Sequence, residues 1–197
     1  MRRSCSASSW SPSSITFGSG LIGDLADASI LARQGETVVH AVITSQSNVG
    51  ASAQMLPLTV DFRSRSYAFG HVPEGRERRE RHGGDEEVLA ARVIDRAVRS
   101  LFPKGFVDTL QLLVTTHSAD GLHDPVVLGI NAASAALSVS SQPWNGPIGC
   151  VRVGMLAGKL VLNPSVADLE RSSLDLLYAG EWWRKVLVID LLTYLLF

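Results

Sequence analysis

Residues 85–102, DEEVLAARVIDRAVRSLF, decide the fold class, because they form the clearest helix that this sequence predicts. The three acids at residues 85–87 come first, where the helix dipole favours negative charge. At 100° per residue, Ile94, Val98 and Leu101 fall on one face. The stretch therefore predicts an amphipathic helix that buries this face against a sheet.

The opposite face of the same helix carries three arginines in two turns. They are Arg92, Arg96 and Arg99, with Asp95 among them. An ordinary solvated face, balanced by the aspartate, is one interpretation. The other is a binding surface, since three guanidinium groups with one acid between them concentrate positive potential.

Short apolar and β-branched stretches lie on both sides of this helix and predict strands. A second helix is expected at residues 124–140, with Asp124 as its N-cap and Pro125 in its first turn. This order of elements predicts an α+β fold with a mixed sheet packed against helices. The predicted strands occupy residues 14–17, 29–32, 37–43, 56–62, 111–118, 147–156, 159–164 and 173–180, with a hairpin turn at Ala157–Gly158.

A glycine-bounded loop, GRERRERHGG (75–84), immediately precedes the first helix. Arg76, Arg78, Arg79 and Arg81 lie in it, and the segment is too polar to pack in a core. Such loops are usually just solvated. Planar donors on a backbone that is free to approach are also what a phosphate backbone needs.

Composition excludes several classes of protein. The 197 residues are 46% hydrophobic and 19% charged, with a formal net charge of −1, which excludes a largely disordered chain and one that holds nucleic acid by bulk charge. The two cysteines, Cys5 and Cys150, lie too far apart in sequence to indicate a disulfide scaffold or a thiolate zinc site. No stretch approaches the roughly 20 apolar residues of a membrane span.

Two motifs that suggest catalysis lack the context they need. Gly18, Gly20 and Gly23 match the spacing of a dinucleotide-binding loop, but no acid closes the next strand, so a strand connection is favoured. His117 with Asp120 or Asp124 suggests a serine-type triad, but the sequence has no G-x-S-x-G elbow. The residues alone therefore predict no catalytic group and no metal site.

Four longer stretches are informative: LPLTVDFRSRSYAFGHVPEGRERRE (56–80), VLAARVIDRAVRSLFPKGF (88–106), INAASAALSVSSQPWNGPIGCVRVG (130–154) and LVLNPSVADLERSSLDLLYAG (160–180). Together they resemble the polynucleotide phosphorylase family, in its first RNase PH-type domain. The resemblance covers about residues 15–180 and implies an RNase PH-like α+β fold of the ribosomal-protein-type split βαβ kind. Trp144 and an arginine- and serine-rich start resemble mitochondrial members more than bacterial ones.

The resemblance implies a phosphorolytic 3′→5′ exoribonuclease, in which inorganic phosphate attacks RNA and releases nucleoside diphosphates. It implies a trimeric ring, single-stranded RNA as the substrate, and Mg²⁺ at an active site whose carboxylates lie in a second core domain, so no catalytic residue is expected here. The first domain of the family supplies a loop with a bulky pair and two arginines. Arg78 and Arg79 match the arginines, whereas Arg76 and Glu77 replace the bulky pair, and the helix arginines rank below the loop.

Three segments follow from the resemblance: residues 1–14 as a disordered or transit-like start, 15–180 as the RNase PH-type domain, and 181–197 as an apolar tail unlike the family. Within the tail, VLVIDLL (186–192) is expected to pair with residues 173–179. The start favours a mitochondrial location, with the cytoplasm as the alternative.

Two functions remain open from the sequence. The first is the RNA-binding core domain of such an exoribonuclease, inactive alone because the second core domain is missing. The second is a non-catalytic RNA-binding or ring-assembly module, made from a truncated product and partnered by a homotrimer or by full-length family members. A truncated product that folds poorly is a further possibility.

Overall fold

The first of two sheets is mixed. In the computed structural model, which describes residues 14–47, 56–72, 84–181 and 186–191, its order is β1-β2-β3-β5-β4. Only the β4–β5 pair is parallel, and helix α1 (Asp85–Arg99) connects these two strands, as parallel neighbours require. The strands are β1 (Thr16–Ser19), β2 (Ala28–Gln34), β3 (Thr37–Gln46), β4 (Leu58–Ser64) and β5 (Thr109–Ser118).

The second sheet is antiparallel throughout, with the order β7-β6-β8-β9. Ala157 and Gly158 both have positive φ values, 49° and 77°, in the predicted hairpin turn between β6 and β7. The mixed sheet expected from the sequence is confirmed, and this separate second sheet is an addition to it. Its strands are β6 (Ile148–Leu156), β7 (Lys159–Leu162), β8 (Asp175–Glu181) and β9 (Val186–Leu191), with the short helix α3 (Val166–Leu169) before β8.

Helix α2 (Pro125–Val139) lies between the two sheets and packs against β2, β3, β5 and β6. It begins as predicted: the Asp124 carboxylate accepts from the Val126 N–H, and Pro125 is in the first turn. Asn131 joins the helix to β6, since its amide accepts from the Cys150 N–H and donates to the Cys150 carbonyl. Burial raises the pKa of the Cys150 thiol to about 12, so this thiol stays neutral in the core.

Strand β9 confirms the expected pairing for residues 186–191 of the predicted stretch 186–192. It runs antiparallel to β8, with Ile189 opposite Tyr178, and Val188 is buried. The segment therefore completes the fourth strand of the second sheet.

The glycine-rich segment at residues 18–23 connects strands rather than opening a helix. Gly20 and Gly23 adopt positive φ, and the chain continues into β2. The Ser29 hydroxyl donates to the Ile22 carbonyl and fixes this connection on the sheet. The interpretation as a strand connection is confirmed.

Candidate nucleic-acid interface

Helix α1 packs its apolar face as the sequence predicts. Ile94 and Val98 are fully buried, and Leu101 just beyond the helix is also buried. The helix packs against β4, α2 and β9, and its three leading acids lie in the first turn. The face opposite this contact is consequently turned away from the core.

Arg92 and Arg96 lie on that outward face, and both are exposed. Residues four apart on a helix are neighbours, with Cβ atoms about 6 Å apart. Two guanidinium groups on adjacent turns match the repeating negative charge of a phosphodiester backbone. These are the two predicted helix residues that the structure leaves at the surface.

Arg99 is placed differently, because its side chain turns towards β4. Nε and Nη2 donate to the Asp95 carboxylate at 2.7–3.2 Å. Nη1 and Nη2 also donate to the carbonyls of Leu56 and Leu58, both at 2.9 Å. Arg99 thus holds the end of α1 against β4, and its predicted contact with RNA stays a prediction.

A groove separates α1 from β4. It consists of two clefts of about 240 and 380 Å³ that share Asp61, Val88 and Ala91 in their linings. Arg92 borders one cleft and Arg63 the other. Glu87 closes one end, because its buried carboxylate accepts from the Ser64 N–H at 2.6 Å. The groove is therefore polar at its rim and closed by hydrogen bonds at its ends.

The predicted loop arginines, Arg76, Arg78 and Arg79, fall in residues 73–83, which lie outside the described residues. The segment that leads to this loop is described, and it ends in a short 3₁₀ helix (Ser66–Phe69). Tyr67 and Phe69 on this helix are 59% and 43% exposed. Exposed aromatic rings stack on unpaired bases. Sequence reasoning missed both residues, although two aromatics in SYAF just before a basic loop were a usable signal.

The histidines form two contacts away from this surface. His123, not His117, pairs with Asp120: its Nδ1 lies 2.6 Å from Oδ2 of the carboxylate. Burial opposes ionisation of Asp120, but hydrogen bonds from His123 and from the Leu122 N–H outweigh it and lower the pKa of this carboxyl well below its usual range. This pair shapes the loop before α2.

His117 instead stacks on His40, with ring centroids 5.5 Å apart. Burial, with a smaller contribution from His117, lowers the pKa of His40. The His40 ring also lies 2.8 Å from the Ser29 hydroxyl. Both histidines therefore belong to a structural contact on the first sheet, not to a triad with Asp120 or Asp124.

A partly buried ion network lies between α2 and the second sheet. Arg152 on β6 reaches Asp124 at 2.5 Å and Asp175 at 2.6–2.7 Å. The hydrogen bonds to Asp175, aided by the charge of Asp124, raise the pKa of Arg152 further, so its charge is permanent. These three residues are satisfied by one another.

Comparison with known proteins identifies the family. The model of the 3′ exoribonuclease family, domain 1, matches residues 14–143. The chain belongs to this exoribonuclease family.

Two curated relatives of this exoribonuclease-family domain share a name. This chain is 48% identical over 155 residues to a polyribonucleotide nucleotidyltransferase of Thermus thermophilus, and the match covers 79% of this chain and 22% of that protein. It is 42% identical over 167 residues to one of Deinococcus radiodurans, covering 84% and 21%. The chain therefore spans about a fifth of the length of the curated relatives it matches.

Solved structures confirm the predicted RNase PH-like α+β fold. An Archaeoglobus fulgidus exosome structure with RNA bound to the active site matches with a TM-score of 0.71, 16% identity, and coverage of 94% of this chain and 79% of that chain. Rice (Oryza sativa) Rrp46 matches with a TM-score of 0.72, 15% identity, and coverage of 91% and 80%. At these identities the likeness concerns the fold alone.

The resemblance implies Mg²⁺, so the side chains of this domain were compared with the ligands that a magnesium ion needs. Among the described residues, no group of three or more histidine, cysteine or carboxylate side chains is placed to hold a metal ion. Near the groove, Asp95 is bound to Arg99 and Glu87 to the Ser64 N–H. These residues do not fit a magnesium site.

In the described part of the chain, no helix has the length and apolar character needed to cross a membrane.

Proposed function

We propose that this domain binds single-stranded RNA as the first core domain of a phosphorolytic 3′→5′ exoribonuclease. The observation that carries the proposal is the exposed pair Arg92 and Arg96 on α1, which begins next to the arginine-rich loop. Family membership and the relatives' name support it. The Archaeoglobus exosome, which has the same fold, has RNA bound to its active site and adds support for RNA as the ligand.

The chain's own residues then have a limited part in the reaction. Arg92, Arg96 and the loop residues Arg76, Arg78 and Arg79 bind phosphates of the strand, and Tyr67 and Phe69 supply stacking surfaces for bases. Since Arg99 is bound to Asp95 and to β4, we assign it to holding α1 in place. These residues bind and orient RNA, and none of them transfers a proton.

The chemical step belongs to residues outside this domain. Inorganic phosphate is the co-substrate. We place the ligands of Mg²⁺ in a second core domain, where the ion would neutralise negative charge. The partners we propose are two further copies in a homotrimer, or full-length family members. The domain alone is then inactive, and its arginine- and serine-rich start favours a mitochondrial location.

The loop provides the first test. Replacing Arg78 and Arg79 together with alanine is expected to weaken binding of a fluorescein-labelled 20-nucleotide oligoadenylate about tenfold or more in a fluorescence anisotropy titration. The matched control replaces the exposed Lys159 and Arg171, which lie with the second sheet, and leaves the affinity within about twofold. Equal losses in both variants would remove the loop from the proposal.

The second test separates binding from chemistry. The purified domain is incubated with radiolabelled oligoadenylate, inorganic phosphate and Mg²⁺, and the products are separated by thin-layer chromatography. RNA binding without release of nucleoside diphosphate is expected. Diphosphate release by the isolated domain would show that the chemistry lies within this chain.

A further inference from the structure

Strand β4 lies at the edge of the first sheet and pairs on one side only. Its main-chain groups alternate in direction: the Pro57 carbonyl, just before the strand, accepts from Leu110 of β5, whereas the Leu58 carbonyl and the Ser64 N–H point the other way. By this alternation, Val60 and Phe62 also direct their N–H and C=O groups away from β5. No strand of the described part of the chain lies on that side.

Helix α1 satisfies the two ends of this edge and leaves the middle unpaired. Arg99 takes the Leu58 carbonyl, and Glu87 takes the Ser64 N–H. Between these two contacts, the N–H and C=O groups of Val60 and Phe62 form no hydrogen bond with any described residue. Two residues spaced by two present a donor, an acceptor, a donor and an acceptor in a row, which is the pattern a neighbouring strand uses.

The groove between α1 and β4 follows these four groups. Its two clefts extend along β4 and one residue beyond it, from Leu58 to Arg65, about 23 Å of extended chain. Val88 and Ala91 give the wall on the α1 side a small apolar surface, and the exposed Arg63 lines the same cleft, together with Asp61. The space therefore has the length of a short strand, an apolar wall and a charged rim.

We propose that the β4 edge docks an extended peptide segment of a partner protein by β-strand addition. Main-chain hydrogen bonds to Val60 and Phe62 supply the affinity, and alternating side chains supply the specificity. Small apolar residues of the peptide pack against Val88 and Ala91, and acidic residues between them lie near Arg63. RNA suits this edge less well, because its phosphates offer only acceptors to a row that also contains carbonyls.

The test uses two kinds of main-chain lesion. The probe is a fluorescein-labelled octapeptide of alternating glutamate and valine, with two matched peptides N-methylated at every valine or at every glutamate. Only one set of N–H groups faces β4 in a strand pair, so one methylated peptide is expected to lose binding at least tenfold while the other stays within about threefold. Equal effects of the two methylations would contradict strand addition.

The matching lesion in the protein is Val60→Pro, which removes an N–H that faces away from β5 and leaves the ladder to β5 intact. It is expected to weaken peptide binding at least tenfold, whereas Val60→Thr, which keeps the N–H, stays within about threefold. RNA affinity should not change in either variant, so failure here is distinguishable from failure of the RNA proposal.

Amide hydrogen exchange on the unmodified chain keeps the proposal testable even where the proline variant does not fold. The Val60 and Phe62 amides should exchange at least tenfold more slowly when the octapeptide is added. Three results would overturn the proposal: protection in the dilute chain alone, which means that another segment of this chain covers the edge; protection that rises with protein concentration, which means a second copy; or equal protection by oligoadenylate.

Discussion

Helices α1 and α2 have the same length, 15 residues, and opposite roles. Nine residues of α2 are buried, because sheets cover it on two sides. Five residues of α1 are buried, and its remaining surface carries charge beside an open groove. The two helices therefore differ in function: α2 joins the sheets, and α1 presents a surface.

The arginines of the two regions repeat this difference. Arg152 beside α2 is surrounded by Asp124 and Asp175, and its side chain is 18% exposed. Arg99 on α1 is half-buried and bound within the chain, whereas Arg92 and Arg96 are exposed. A polyanion can reach an arginine only where the fold leaves its side chain at the surface, and this difference in exposure underlies our proposal that Arg92 and Arg96 bind RNA.

The largest effect is expected from Arg152→Met. The change leaves Asp124 and Asp175 without their cation in a partly buried site, which costs about 3 kcal/mol of unfolding free energy. Urea denaturation followed by circular dichroism measures it, with the exposed Arg171→Met as control. A loss below about 1 kcal/mol would show that the network near α2 is not structural.

Arg99→Met and Arg92→Met sharpen the comparison within α1. Because Arg99 donates to Asp95 and to two β4 carbonyls, its loss should lower the unfolding free energy by about 1–2 kcal/mol. Arg92→Met should change it by about 0.5 kcal/mol or less. The same urea titration measures both unfolding free energies. Equal losses in the two variants would contradict a structural role that Arg99 has and Arg92 lacks.

A smaller effect is expected from Asp120→Asn. The folded pKa of Asp120 is lowered, so its ionised form contributes stability above pH 4, and this contribution is lost as the pH falls towards 2. The variant should be about 1 kcal/mol less stable than the parent at pH 7, and the gap should close at low pH. Thermal melts of both proteins at pH 7, 4 and 2 measure this stability difference. A difference that does not change with pH would contradict a stabilising role for the ionised Asp120 carboxylate.

Local patterns predicted most of the fold. The apolar periodicity of α1, the Asp124–Pro125 start of α2, the Ala157–Gly158 turn and the pairing of β9 each depend on neighbouring residues, and each is confirmed. The division into two sheets was not predicted, because the alternation of apolar and polar residues along a strand does not indicate which other strand it pairs with.

The candidate site was predicted only in part, for a similar reason. A helical wheel places Arg99 with Arg92 and Arg96, but the carbonyls that capture it belong to Leu56 and Leu58, more than 40 residues earlier. The sequence argued against a triad of His117 with Asp120 or Asp124, and the structure pairs Asp120 with His123, a contact whose i, i+3 spacing was visible in the sequence. The contacts of Arg99 with β4 join distant segments, and no local pattern encodes them.

The salt dependence of RNA binding tests the central claim most directly. Oligoadenylate affinity is measured from 50 to 300 mM KCl for the parent, for Arg92→Gln with Arg96→Gln, and for the Lys159 and Arg171 control. Each lost phosphate contact removes about 0.7 from the slope of log affinity against log salt, so the helix variant should lose about 1.4 and the control nothing. Parallel slopes for all three proteins would contradict the assignment of the exposed α1 face to RNA.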